Sequence, residues 1–227
     1  MMWGPLSMIT TAAPFAVSGY AAYPYSKALA HKATLESRFG TTYELFRRGA
    51  DGSLWLPRQL CPAPKSENDF RTEGERTAYE CNFVPRNEEQ ARITEDATRL
   101  LQAGENFIVQ APTGWGKTMV GCAIAGQVKR KTLVITTKED IVDQWVDAAQ
   151  KVLGLSKHSI GIWRGDEAPD NHDCFIVGLV QSILKGPERY PDFDFSAVGL
   201  VICDEVHRMA ADQFSQAMWW FPAKLRM

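Results

Sequence analysis

Two kinds of hydrophobic pattern divide the chain near residue 85. Ahead of it, the segments Thr41-Thr42-Tyr43-Glu44-Leu45-Phe46 and Ser53-Leu54-Trp55-Leu56-Pro57 are β-prone. The turn sequence Gly49-Ala50-Asp51-Gly52 lies between them, so a hairpin is predicted. Pro62, Pro64 and the polar stretch 65–76 predict a long loop, and the rough apolar–polar alternation over 77–83 predicts one more strand. Beyond residue 85, apolar runs alternate with helical stripes. In 88–101, Ala91, Ile93, Ala97, Leu100 and Leu101 recur at helical spacing. A strand is expected over 107–110, a helix over 117–127, a strand over 132–136 and a helix over 138–152. The last of these carries Ile141, Val142, Trp145, Ala148 and Ala149 on one side. Further strands are expected over 174–177 and 198–203. Strands that are nearly continuous in apolar content and separated by helices belong to a parallel sheet covered on both faces. The expected class is therefore α/β, with a small β-containing accessory domain over 1–84 and the main domain over 85–227. No internal repeat or low-complexity segment interrupts this order.

Chemistry concentrates at the ends of two of these strands. After Phe107-Ile108-Val109 comes Ala111-Pro112-Thr113-Gly114-Trp115-Gly116-Lys117-Thr118, then a run of helix formers. Strand, Gly-rich loop and helix in this order form a P-loop, with Ala in place of the usual first Gly. Backbone N–H groups at the helix N-terminus carry positive partial charge suited to phosphate oxygens. Pro112, Thr113, Gly114, Trp115, Gly116, Lys117 and Thr118 are the candidate nucleotide-binding residues. Lys117 is placed on the β- and γ-phosphates, and the Thr118 hydroxyl on Mg²⁺. Downstream, Leu200-Val201-Ile202-Cys203 runs into Asp204-Glu205-Val206-His207. Asp204 falls at the C-terminal end of its strand, where open α/β sheets bind ligands, and is the second candidate Mg²⁺ ligand. Glu205 is the candidate base for the attacking water. Read alone, the two acids also fit the first turn of a following helix.

Taken together, Ala-Pro-Thr-Gly-Trp-Gly-Lys-Thr and Asp-Glu-Val-His resemble motifs I and II of superfamily 2 helicases of the DEAD/DEAH-related, DEVH-box kind. The resemblance implies a RecA-like P-loop domain that uses ATP and Mg²⁺, with Lys117, Asp204 and Glu205 as catalytic groups. It also implies that His207 couples nucleotide state to nucleic-acid contacts. Thr136-Thr137-Lys138 and the following helix are similar to motif Ia, and Gly178-Leu179-Val180-Gln181-Ser182-Ile183 is similar to a Thr-x-Gln-Ser-Leu segment. In that family both segments touch the nucleic-acid backbone, which implies Thr137, Lys138, Gln181 and Ser182 as contacts. A simple helix start is the alternative for the last two. Pro85-Arg86-Asn87-Glu88-Glu89-Gln90 resembles the segment in which a Gln recognises adenine, with one residue more than the Arg-x-x-Gln spacing; it implies Gln90. The N-terminal hairpin is similar to the region ahead of the motor in phage recombination and repair helicases and XPB-like helicases. An ordinary packing hairpin is the other reading.

In such relatives the segment near Met227 leads into a Ser-Ala-Thr motif, a second RecA-like domain and arginine fingers. None of these lies within the 227 residues. An arginine finger contributes about 10³–10⁵ in rate, so this stretch alone is expected to turn over nucleotide poorly. The expected protein is an ATP-dependent DNA helicase or translocase, with RNA open as substrate. A non-catalytic nucleotide- or DNA-binding fragment and the motor subunit of a restriction enzyme are the alternatives.

Composition narrows this only slightly. The net charge of −2 gives no overall basic signature for nucleic acid. Five scattered cysteines without a CxxC fit a reducing compartment. Residues 1–22 lack the basic start of a signal peptide, and no apolar run reaches membrane-spanning length. A cytoplasmic location, or a host cell's cytoplasm, is expected. His31, His158 and His172 have no companions at metal-ligand spacing.

Overall fold

Antiparallel and parallel pairing separate along the chain much as the hydrophobic patterns do. The computed structural model describes residues 71–205 and 217–227, and before them Gly52 and five short strands. Two compact units result, Met1–Arg71 and Thr72–Met227.

In the first unit, β1 (Tyr20–Tyr23), β5 (Leu54–Pro57) and β4 (Arg47–Arg48) form one antiparallel sheet in that order. The strands β2 (Thr34–Glu36) and β3 (Thr42–Glu44) form a second. The expected hairpin around Gly52 is present but its first arm differs. Arg47 and Arg48 pair with Trp55 and Leu54, whereas Thr42–Glu44 turns back to β2.

The second unit is built on a five-stranded parallel sheet. Its elements are α1 (Glu88–Gln102), α2 (Lys117–Val128), β6 (Thr132–Thr136), α3 (Glu139–Leu153), β7 (Ile160–Trp163), β8 (Phe175–Leu179), the single turns α4 (Val180–Ile183) and α5 (Gly186–Arg189), β9 (Leu200–Cys203) and β10 (Leu225–Arg226). The sheet order is β10-β9-β6-β8-β7, with every pair parallel. This mixed α/β architecture bears out the expected class. In register, Thr136 lies opposite Leu179 and Ile135 opposite Cys203. The C-terminal ends of three strands are thus nearly flush, and the residues after them emerge along one edge.

Both faces of the sheet are apolar, as two-sided cover requires. Val134, Val177 and Ile202 face the helical layer, whereas Leu133, Ile135, Ile176 and Val201 face a second core. Helix α2 has no polar face: Val120 to Gly126 are all buried, because it packs between α1 and α3. The second core is aromatic. Trp163 is fully buried, with Tyr190, Phe193 and Phe221 at ring centroid distances of 5.1, 4.6 and 6.1 Å. Phe221 is completely buried there.

Two expected strands do not form. Residues 107–110 run irregularly along the β10 edge, where the Arg226 N–H donates to Asn106 Oδ1 at 2.7 Å. A strand needs a ladder partner, and β10 spends its short backbone inward: Leu225 and Met227 donate to Gly199 and Val201. Ile108 is consequently 69% exposed. Residues 77–83 instead lace together the helix and strand ends. The Thr77 N–H donates to Lys129 O, the Asn82 N–H to Val152 O, and the Tyr79 hydroxyl to Cys174 O.

A lysine is buried beneath the sheet. Lys131 Nζ donates to Asn171 O, lies 3.6 Å from the Glu75 carboxylate and sits 5.8 Å from the Phe193 ring centre. Close by, Asp194 caps a short 3₁₀ turn by accepting from the Ser196 N–H and hydroxyl. The Ser196 hydroxyl, foremost, holds the Asp194 carboxyl below the usual carboxylate range. A carboxyl depressed in the folded state contributes stability above its unfolded pKa, about 3.9, and loses that contribution as pH falls through its folded value. Asp194→Asn is therefore expected to flatten the decline in melting temperature below about pH 4 relative to the wild-type protein. Parallel acid-titrated melts of the two proteins check this.

Candidate nucleotide-binding site

The loop 111–118 turns tightly: the Trp115 N–H donates to Pro112 O at 3.3 Å. Gly114 and Gly116 have φ of 78° and 97°, the left-handed region that glycine enters at no steric cost. Gly116 is the N-cap of α2 and brings no side chain to the cap. The N–H groups of the first turn therefore remain available to an anion, aided by the helix dipole. Lys117 Nζ folds back onto its own loop, donating to Ala111 O at 2.8 Å and Pro112 O at 3.3 Å.

Gln90 supports the loop from α1. It is only 2% exposed; its amide donates to Trp115 O and accepts from the Arg86 N–H at 2.9 Å. The Asn87 side chain caps α1 by accepting from the Gln90 N–H. One side chain thus joins the entry segment 85–90 to the P-loop, and the extra residue after Arg86 is absorbed in the helix start.

Asp204 leaves the end of β9 with its N–H donating to Ile135 O at 3.0 Å, so the backbone of β6 steers it. Its Oδ1 accepts from the Glu205 N–H at 3.0 Å, and its Oδ2 accepts from Trp145 Nε1 at 2.8 Å. Glu205 has φ of 57°, a left-handed backbone rare outside glycine. Beside the acids, burial pushes the Cys203 thiol up to about 12, which leaves it a neutral wall.

Two cavities meet at these groups. One, of about 440 Å³, is lined by Ala111, Thr113, Lys117, Gly121, Trp145, Asp204 and Glu205, among others. The other, of about 470 Å³, is lined by Arg86, Gly114, Gly116, Lys117, Thr118, Asp204 and Glu205, among others. Lys117 and the acid pair wall both. Residues 87 positions apart in sequence converge because parallel β9 and the P-loop end at the same rim.

The proposed nucleic-acid contacts divide. Thr137 and Gln181 follow paired strands, and Gln181 Nε2 lies 3.5 Å from Thr137 O. Lys138 and Gln181 are exposed, whereas Ser182 is 4% exposed inside α4, its carbonyl accepting from the Tyr190 hydroxyl. His207 lies outside the described residues. Trp145 is the participant that sequence reasoning missed as a site residue. Its helical spacing marks it only as inward-facing, and nothing local signals that its indole reaches Asp204.

Gly121 shows how closely this wall is packed. A Cβ there would come within 2.5 Å of the Trp145 ring. Gly121→Ala is expected to displace Trp145 and to weaken nucleotide binding several-fold, with a stability loss of about 1–3 kcal/mol from overpacking. Nucleotide titration and urea unfolding of the variant measure the two effects.

A parallel sheet with a P-loop and an acid pair at its C-terminal rim defines a RecA-like helicase domain. Residues 82–227 match the family described as "Type III restriction enzyme, res subunit". The chain belongs to this helicase family. It is 31% identical over 126 residues to a mimivirus protein named as an ATP-dependent RNA helicase, L396, from Acanthamoeba polyphaga mimivirus, covering 56% of this chain and 23% of that one. It is 31% identical over 114 residues to the DNA 3'-5' helicase XPB of Kineococcus radiotolerans, covering 49% and 20%. The chain thus spans less than a quarter of the length of these relatives. The UvsW helicase from bacteriophage T4 shares the fold, with a TM-score of 0.55 at 18% identity over 88% of this chain and 82% of that chain. Among the described residues, no helix is long and apolar enough to cross a membrane.

Proposed function

We propose that the chain is the ATP-binding motor half of a nucleic-acid helicase or translocase, acting on DNA and working inside the cell. The observation that carries this reading is the convergence of Lys117, Asp204 and Glu205 on one pair of cavities at the rim of a parallel sheet. In this reading the N–H groups of the P-loop and Lys117 hold the phosphates of ATP, and Glu205 accepts the proton of the attacking water. Thr118 and Asp204 would hold Mg²⁺, which neutralises phosphate charge when bound. The donor set fits that ion. A hydroxyl and a carboxylate line the same cavity, and among the described residues no cluster of three or more His, Cys, Asp or Glu competes as a cage. Mg²⁺ takes few protein oxygens and completes its shell with water and substrate phosphates.

The Gln90 amide is spent on Trp115 O and the Arg86 N–H, so Gln90 positions the loop in place of reading the base, whereas His207 couples the site to nucleic acid. Thr137, Lys138 and Gln181 touch the strand's phosphates, with Ser182 supporting them from within. A second RecA-like domain supplies the remaining charge on the far side of ATP, and the N-terminal β-containing unit is an accessory domain that engages DNA. DNA is favoured over RNA by the Asp-Glu-Val-His motif and the N-terminal hairpin. The relative named XPB is called a DNA helicase and the mimiviral one an RNA helicase. ATP hydrolysis by the complete protein, measured with single-stranded DNA and RNA, tests the assignment. Acceleration by DNA above RNA is expected; no acceleration by either strand sinks the motor reading.

A further inference from the structure

Trp145 sits where three parts of the site meet. It belongs to α3, the helix that begins just after Thr137 and Lys138. Its ring packs on Gly121 of α2, one turn beyond the P-loop, so closely that no Cβ fits between. Its indole N–H donates to Asp204 Oδ2 at 2.8 Å from a position only 2% exposed. The ring also lines the 440 Å³ cavity beside Lys117 and Glu205. Asp204 is thereby held at both oxygens: the Glu205 backbone takes Oδ1 and Trp145 takes Oδ2. A carboxylate at a strand end with one anchor rotates about its Cα–Cβ and Cβ–Cγ bonds. A second, sheltered donor selects one orientation and leaves the remaining lone pairs directed at the cavity.

We infer that Trp145 is a positioning residue of the nucleotide site, aiming the Asp204 carboxylate for Mg²⁺–nucleotide and tying that aim to α2 and α3. The inference rests on the reading of Asp204 as a Mg²⁺ ligand. Outer-sphere hydrogen bonds of this kind orient ligands, and their loss lowers affinity about 10–100-fold in metal sites.

The test is fluorescence titration of the 227-residue chain with a ribose-labelled ADP, in Mg²⁺ and in EDTA. Wild type, Lys117→Ala, Trp145→Phe, Asp204→Asn and the Trp145→Phe/Asp204→Asn double variant are compared, each with a thermal melt. In the wild type, Mg²⁺ is expected to tighten binding. Trp145→Phe keeps an aromatic ring, smaller than the indole, and removes the donor, so binding in EDTA is expected to persist while the Mg²⁺ enhancement falls about tenfold. Asp204→Asn is expected to lose the enhancement, and adding Trp145→Phe to it is expected to change nothing further. A merely structural tryptophan would instead give additive losses in the double variant, and that result overturns the proposal. So does an undiminished Mg²⁺ enhancement in Trp145→Phe when Lys117→Ala has lost binding, an outcome that leaves the nucleotide site standing. Wild-type binding by Lys117→Ala overturns the site and the proposal together. If Trp145→Phe melts early, Trp145→His, which keeps a ring N–H, gives the decision. Restored enhancement supports positioning; enhancement lost alongside intact EDTA binding overturns it.

Discussion

Lys117→Ala is expected to abolish most nucleotide binding by this chain and to lower ATP hydrolysis by the complete protein about 10²–10³-fold, the range seen when one preorganised charge-stabilising donor is removed. The reason is positional. Lys117 Nζ lies between the two cavities and is held by two carbonyls of its own loop, Ala111 and Pro112. Those neutral acceptors are weaker partners than phosphate oxygens, so the ammonium can transfer to an arriving nucleotide. Removing it leaves the loop backbone, the N-cap at Gly116 and the Gln90 contact to Trp115 in place. The melting temperature is therefore expected to stay within about 2–4 °C of wild type, as for a change near a half-exposed side chain. Titration with labelled nucleotide, alongside the melt, is the measurement. Wild-type affinity in a folded Lys117→Ala protein would remove Lys117 from the site.

Trp163→Ala is expected to destabilise the α/β unit by about 3–5 kcal/mol. Trp163 ends β7, the edge strand of the sheet, and is fully buried against Tyr190, Phe193, Phe195 and Phe221. These rings come from the loops after α5 and from the segment before β10, so one side chain joins three stretches that share little backbone pairing. Its loss opens a cavity and removes two edge-to-face and two tilted ring contacts at once. A fall in the urea midpoint with an unchanged slope is expected, since the surface exposed on unfolding hardly changes. Near-ultraviolet circular dichroism should lose part of its aromatic signal in the native state. A midpoint shift worth under about 1 kcal/mol would mean that the second core does not depend on this ring.

How much of this was legible in the residues differs from element to element. Strand β6 coincides with the expected 132–136, and α1, α2 and α3 fall within a residue or two of their expected bounds. Local periodicity suffices there because each segment carries a long apolar stripe or run. Strand β7 was not anticipated: Ile160-Gly161-Ile162-Trp163 is short and reads as strand only once β8 lies beside it. The segment 107–110 fails in the opposite sense, having strong β character and no adequate partner in the sheet. Ser182 matches its motif by identity yet is buried inside α4, because Tyr190 and Lys185 fold over its carbonyl.

The residues alone were enough for the α/β class and for the two candidate segments, 111–118 and 204–205. A Gly-rich turn, a lysine at a helix start and paired acids after an apolar run are local statements, written in φ values and side-chain types. Tertiary structure alone decided which of these groups meet and what holds them. Parallel register brings Asp204 level with the end of β6, and the absent Cβ at Gly121 admits the Trp145 ring. The indole then reaches a carboxylate 59 residues away. No periodicity encodes that contact, because it depends on the distance between two helices and a sheet that pack only after the whole chain has folded.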